Sequence, residues 1–200
     1  MKKGLFALFM LLALPLFAAD FQAGKDYQVI KGAAGTERPE LLEFFSFLCP
    51  HCYALEGTLD GVRSKLPTNI AFEKVHIEAL GGSTGKLMAR AWAIMETLGV
   101  EAKVSPKIFD SVHRFKVRYR DLRDVRAAFV AAGVSGSDFD NAARSFQVES
   151  RLNQMRQRVE ALQPTAVPDL IVNGKYRINR AAVPQPAQLQ ALIEYLATKK

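Results

Sequence analysis

Two cysteines stand three positions apart, as Cys49-Pro50-His51-Cys52, between a dense apolar run and a helical stripe. Upstream, Leu41 to Phe47 reads LLEFFSF, the pattern of a strand buried on both faces. Downstream, Cys52, Leu55, Leu59, Val62 and Leu66 recur at helical spacing, and Pro67 supplies a stop. The pair therefore sits where a strand hands over to a helix. These are the only two cysteines in 200 residues. That count excludes a disulfide-rich scaffold, a four-thiolate zinc site and an iron–sulfur cluster.

The helix stripe separates the roles of the two thiols. Cys52 lies on the inward stripe, where its sulfur is shielded. Cys49 lies at the helix start, where unpaired N–H groups and the positive dipole end favour a thiolate. Cys49 is thus the expected nucleophile, and Cys52 the resolving thiol that closes a disulfide on it. Pro50 suits the first turn because it has no N–H to satisfy. His51 can add positive charge beside the thiolate.

The compartment follows from the N-terminus. Met1-Lys2-Lys3 is basic, Gly4 to Phe17 is apolar, and Ala18-Ala19 are small. This is the layout of a secretory signal, with residues 1–19 removed on export. An oxidising compartment expects paired thiols to be oxidised or exchanging. A Cys-x-x-Cys loop is too short to stabilise the unfolded-state balance by more than about 2 kcal/mol, so it serves better as a redox centre than as a staple. The full chain is 49% hydrophobic and 24% charged, with 27 Lys+Arg against 20 Asp+Glu. That balance excludes a disordered tail, a collagen-like chain and a multispan membrane protein.

The rest of the chain reads as short strands around a helical middle. Tyr27 to Ile30 and Ile70 to Ile77 are strand-like. Leu87 to Leu98 forms a helix capped by Gly99, and Ser105-Pro106 reads as the start of the next. Leu122 to Ala132 is closed by Gly133, Ser137 with Asp140 reads as a cap, and Val148 to Leu162 carries one more stripe. Asp169 to Val172 and Tyr176 to Ile178 flank Asn173-Gly174, a hairpin signal, and Leu189 to Leu196 marks a final helix.

Other residues carry chemistry with an alternative reading attached. Glu43 lies inside the apolar run, either as a proton relay for buried Cys52 or as an exposed residue on the strand. Val167-Pro168 precedes the last strand pair, and pattern alone leaves its isomer open. Cys49, Cys52, His76 and His113 could supply four zinc ligands, but their separations match no compact finger. From His113 to Arg126, Arg114, Lys116, Arg118 and Arg120 alternate with Phe115, Val117 and Tyr119. A nucleic-acid surface would want such a run, but export removes that partner, so it reads as a solvated edge of the helical block.

Glu43-Phe44-Phe45-Ser46-Phe47-Leu48-Cys49-Pro50-His51-Cys52-Tyr53 resembles the active-site segment of the DsbA family of periplasmic dithiol oxidases. Leu80-Gly81-Gly82 with Gly85-Lys86, Ala91-Trp92-Ala93 with Leu98-Gly99-Val100, and Val167-Pro168 with Val172-Asn173-Gly174-Lys175-Tyr176 follow in matching order. The resemblance implies an α/β thioredoxin fold, a mixed sheet flanked by helices, with an inserted all-helical domain. The expected divisions are 20–80 and 163–200 for the thioredoxin-like parts and 81–162 for the insertion. It implies that Cys49 attacks, that Pro168 is cis and, with Val167, lines the substrate groove, and that Glu43, Glu56 and Lys74 are buried charges beneath the dithiol. It also implies reduced exported proteins as substrates and a DsbB-type membrane quinone reductase as reoxidant. No metal or organic cofactor and no nucleic acid is expected. The chain is expected to be a monomer, since no dimerisation segment fits between Asp20 and Tyr27. A disulfide isomerase or reductase of the same fold, or a non-catalytic peptide-binding module, is the alternative. One position departs from the family. Asp169 follows the proline where a small or apolar residue is expected, and an acid beside the sulfurs would disfavour a thiolate.

Overall fold

The computed structural model describes residues 20–199; the expected export signal, 1–19, lies outside the described residues. The elements in chain order are β1 (Tyr27–Val29), β2 (Glu40–Phe45), α1 (Pro50–Arg63), β3 (Ala71–His76), α2 (Ser83–Leu98), α3 (Glu101–His113), α4 (Leu122–Ala131), α5 (Gly136–Ala143), α6 (Phe146–Leu162), β4 (Asp169–Val172), β5 (Tyr176–Ile178) and α7 (Pro186–Ala197). The strands form one mixed sheet in the order β1-β5-β4-β2-β3. β2 runs parallel to β3 and antiparallel to β4. The β4–β5 hairpin turns at Asn173 and Gly174, whose φ values of 53° and 60° place both in the left-handed region that a two-residue turn of this hand requires.

Because β2 has a neighbour on each edge and helices over each face, all six of its residues are buried. This is why LLEFFSF lacks polar alternation. Successive side chains still point to opposite faces. Leu41, with Leu170 and Val172, packs against Leu55, Leu59 and Val62 of α1 and Leu189, Leu192, Ile193 and Leu196 of α7. Leu42 and Phe44, with Ile171, share a second core with Met88, Trp92 and Met95 of α2, Ile108 of α3, Phe129 of α4, Phe139 of α5 and Leu152 of α6. The helices α2 to α6 thus enter the chain between β3 and β4 and share one apolar core with the sheet.

Several boundaries differ from the sequence expectation. Helix α1 ends at Arg63, so Leu66 lies beyond it. Helix α3 starts at Glu101, and Pro106 is inside it rather than in its first turn. A proline there removes one hydrogen bond of the helix. Burial of Val104, Ile108 and Phe109 offsets that loss. Helix α5 is capped by Ser135, whose hydroxyl accepts from Asp138 N–H at 3.4 Å, and not by Ser137. Asp140 instead holds Arg126 through two bonds of 2.9 and 3.0 Å. Gly99 caps α2 with φ 64°, in line with the sequence.

Candidate active site

Strand β2 ends at Phe45, and Ser46-Phe47-Leu48 turn the chain into α1. The turn is tied by Cys49 N–H donating to Ser46 O at 3.0 Å and Leu48 N–H donating to Ser46 Oγ at 3.1 Å. Cys49 takes the N-cap position with extended backbone, and Pro50 follows in the first turn. Leu48 packs so tightly on Gly81, whose φ is +86°, that a Cβ at that glycine would collide with the leucine.

Both cysteines are thiols in this structure and both are buried. The Cys49 thiol donates to the carbonyl of Val167 at 3.3 Å. The Val167–Pro168 bond is cis and immediately precedes β4. Cys52 is fully enclosed. Burial pushes its thiol far above the ordinary range, and the neighbouring Cys49 adds to the rise. Pro50 and His51 lie at the surface. The helix start thus sets one sulfur against the Val167 carbonyl and encloses the other on the inward stripe of α1.

Below the pair lies a charged trio. Glu43 on β2 is directly across the parallel ladder from Lys74 on β3. Lys74 Nζ is 3.1 Å from Glu43 Oε2 and 2.5 Å from Glu56 Oε1 on α1. Glu43 is completely buried, so its exposed-strand reading does not hold. Its Oε1 has no hydrogen-bond partner, and Oε2 meets the ammonium only as a close ion pair. Burial raises the Glu43 carboxyl to about 7, against the opposing pull of Lys74. Burial by itself would lower the Lys74 ammonium, but Glu43 and Glu56 together hold it above the ordinary lysine range. The Lys74 ammonium also sits 4.4 Å from the Phe45 ring centre. The Glu43 charge is felt at Cys52, where it further opposes thiolate formation.

Two histidines hold the turn, a role that their spacing did not suggest. Phe47 N–H donates to His76 Nε2 at 3.0 Å, and His113 Nε2 lies 2.9 Å from Phe47 O. Since a carbonyl only accepts, His113 carries its proton on Nε2 there. His76 is buried, and burial lowers it to about 3, so it is a neutral acceptor. His113 stacks on Tyr53 at 5.0 Å, and the Tyr53 hydroxyl donates to Asp110 at 2.6 Å. Each imidazole thus commits its Nε2 to the Phe47 backbone. Among the described residues no group of three or more His, Cys, Asp or Glu is placed to hold a metal ion.

The departure at Asp169 also resolves. Leu170 pairs with Glu43 across β4 and β2, so Asp169, one residue earlier, projects to the opposite face of the sheet. There Arg177 Nε donates to Asp169 Oδ2 at 2.9 Å. The same guanidinium donates to Leu162 O at 2.7 Å, at the end of α6. Burial raises the Asp169 carboxyl and Arg177 pulls it back. The acid is thus taken up by an arginine on the face of the sheet opposite Glu43.

A family model described as a DSBA-like thioredoxin domain matches residues 40–196. The thiol:disulfide interchange protein DsbA of Pectobacterium carotovorum is 39% identical over the full length of both chains. That of Escherichia coli is 37% identical, over 96% of this chain and 95% of its own. The structure of Proteus mirabilis DsbA with a non-covalently bound peptide PWATCDS superposes with a TM-score of 0.83 at 32% identity, covering 90% of this chain and 100% of that one. Pseudomonas aeruginosa DsbA gives 0.79 at 28% identity, over 90% and 94%. The matched span takes in the buried Glu43, the dithiol turn and the cis-proline strand together. By descent and by fold, then, the chain belongs to the DSBA-like thioredoxin family and is a thiol:disulfide oxidoreductase.

Proposed function

We propose that this protein is a periplasmic dithiol oxidase, which passes a Cys49–Cys52 disulfide to newly exported polypeptides. The observation that carries the reading is the asymmetry of the pair. Cys49 Sγ lies at the helix start against the Val167 carbonyl, while the Cys52 thiol is enclosed. In the oxidised form a substrate thiolate attacks Cys49 Sγ, the S–S bond breaks, and Cys52 leaves with the electron pair. Its burial favours immediate protonation, and Glu43, poised near neutrality, is the proton source we assign, with Lys74 and Glu56 setting its charge. A second substrate thiolate then attacks the substrate sulfur of the mixed disulfide. Cys49 departs as a thiolate at the positive end of α1. The substrate has lost two electrons, which the protein holds as its reduced cysteine pair; the protons of the two substrate thiols pass to water, from which Glu43 is reprotonated. His51 and Pro50 shape the exposed rim, and the Val167 backbone offers an extended substrate groups to pair with beside the sulfur. A membrane quinone reductase of the DsbB type returns the dithiol to the disulfide. The protein works as a monomer.

The test is direct. Oxidised protein mixed with a reduced two-cysteine peptide is expected to yield cyclised peptide and reduced protein in equal amounts. Equilibrium with glutathione fixes the direction: a Cys49–Cys52 disulfide that glutathione reduces readily supports the oxidase. One that persists in excess reduced glutathione makes the protein a reductase instead.

A further inference from the structure

The basic run from Arg114 to Arg126 is the one sequence feature that the redox centre leaves unused, and its charge is not evenly spent. Arg114 pairs with Asp110 at 3.4 Å, Arg120 with Asp124 at 3.4 Å, Arg123 with Asp121 at 2.7 Å and Arg126 with Asp140 at 2.9 Å. Lys116 and Arg118 have no ion pair among the described residues. Both line a single groove of about 570 Å³, together with Arg120, and none of its lining residues is acidic. Its far wall is Leu48, the residue before Cys49.

The segment that carries these cations is held in place. Tyr119 is buried with its hydroxyl 2.7 Å from Ser111 Oγ, and Val117 N–H donates to Ser111 O at 2.8 Å. With that anchor, Phe115 and Val117 stand 69% and 45% exposed. The result is a fixed concave surface with uncompensated positive charge and apolar edges, beginning one residue from the reactive sulfur.

We propose that this groove docks an acidic stretch of the polypeptide substrate, flanking the cysteine that reacts at Cys49. The proposal rests on the reading of Cys49 as the sulfur that substrate meets. Surface charge pairs are individually weak and screened by salt, so docking acts mainly on the rate of productive encounter. A polypeptide fits better than a flat anionic surface, because the cations sit in a concavity beside the site where a polypeptide must in any case lie.

The experiment compares two-cysteine peptides that differ only in a flanking triplet of Glu, Gln or Lys. The readout is the ratio of second-order rate constants for their oxidation. At low ionic strength the Glu peptide is expected to react about tenfold faster than the Gln peptide, a gain of the size that electrostatic steering gives. That ratio is expected to approach one in molar salt, and also in the double variant Lys116→Gln, Arg118→Gln. The charge-reversed pair Lys116→Glu, Arg118→Glu is expected to favour the Lys peptide, an inversion that a misfolded protein could not show. Equal rates for the Glu and Gln peptides, or a preference that survives in the Gln variant, would overturn the proposal. So would binding to phosphatidylglycerol vesicles that needs Lys116 and Arg118 in a protein with no peptide preference, since the strip would then be a membrane surface. Failure to oxidise the Gln peptide at all counts against the dithiol-oxidase reading instead.

Discussion

His113 Nε2 lies 2.9 Å from the carbonyl oxygen of Phe47, so a residue at the end of α3 holds the turn that delivers Cys49. Removing it leaves a buried carbonyl without its donor. His113→Ala is expected to cost about 1–3 kcal/mol, the usual penalty for an orphaned buried polar group. His113→Gln can restore the donor and should recover part of that loss. Urea midpoints of the three proteins, taken in the reduced form, decide it; equal midpoints for Ala and wild type would remove the histidine from the account.

The roles of the two sulfurs separate by trapping. Cys49→Ser should abolish peptide oxidation. Cys52→Ser, offered a disulfide-linked peptide, should accumulate mixed disulfides on Cys49, because its thiolate exchanges into the peptide disulfide, releasing one peptide thiolate, and no Cys52 thiol remains to displace the peptide. Mass spectrometry of the adducts reads the answer, and adducts carried by Cys52 in the Cys49→Ser protein would reverse the assignment.

Glu43 gives stability a particular pH dependence. Its carboxyl is raised from 4.5 to about 7 in the fold, so between these values the folded protein binds more protons than the unfolded chain. Stability from this group is therefore fully present below 4.5 and is lost as pH rises through 7. Glu43→Gln removes the titration. The variant is expected to gain on wild type across that window by up to about 3 kcal/mol. A stability difference that does not change between pH 4.5 and 8 would show that the carboxyl is not raised.

His76 works in the opposite sense. It is lowered from 6.5 to about 3, so between these values the unfolded chain binds the extra proton. Stability from the neutral imidazole is present above 6.5 and is lost as pH falls towards 3. His76→Gln, whose side-chain oxygen can still accept from Phe47 N–H, should flatten that acid limb. Calorimetric unfolding of wild type and variant between pH 3 and 7 tests it, and parallel acid limbs would sink it.

Arg177 is expected to matter through Asp169. Arg177→Ala strands a buried carboxylate and frees the carbonyls at the end of α6, at a cost of about 3 kcal/mol. Adding Asp169→Ala should return part of the loss, so that the double-mutant cycle shows favourable coupling. Strictly additive effects would mean that the pair is not a unit.

The elements that could be read from the sequence are those whose pattern is local. The strand–dithiol–helix junction, the Asn173-Gly174 hairpin and the Gly99 cap each rest on a few consecutive residues with one dominant physical cause. Pro106 misleads because its local preference for a first turn is overridden by burial of Val104, Ile108 and Phe109. Ser137 misleads because Ser135 stands two residues away and offers the same hydroxyl. The histidine clamp and the Asp169–Arg177 pair were out of reach for another reason: each joins residues from different elements, which no spacing along one helix or strand encodes. Glu43 lies between these cases, since its apolar neighbours signal burial while its partner Lys74 comes from the adjoining strand.

The placement of α2 to α6 between β3 and β4 has a consequence for the order of assembly. The turn before Cys49 meets His76 after 29 residues, but Cys49 meets Val167 only across 118. Closing so long a loop is slow, and it waits on β4, near the end of the chain. Until then the helix start lacks the carbonyl that shields its sulfur. An emerging chain of this protein therefore passes through an interval in which Cys49 is itself an unguarded thiol, in need of the same chemistry that the finished molecule performs.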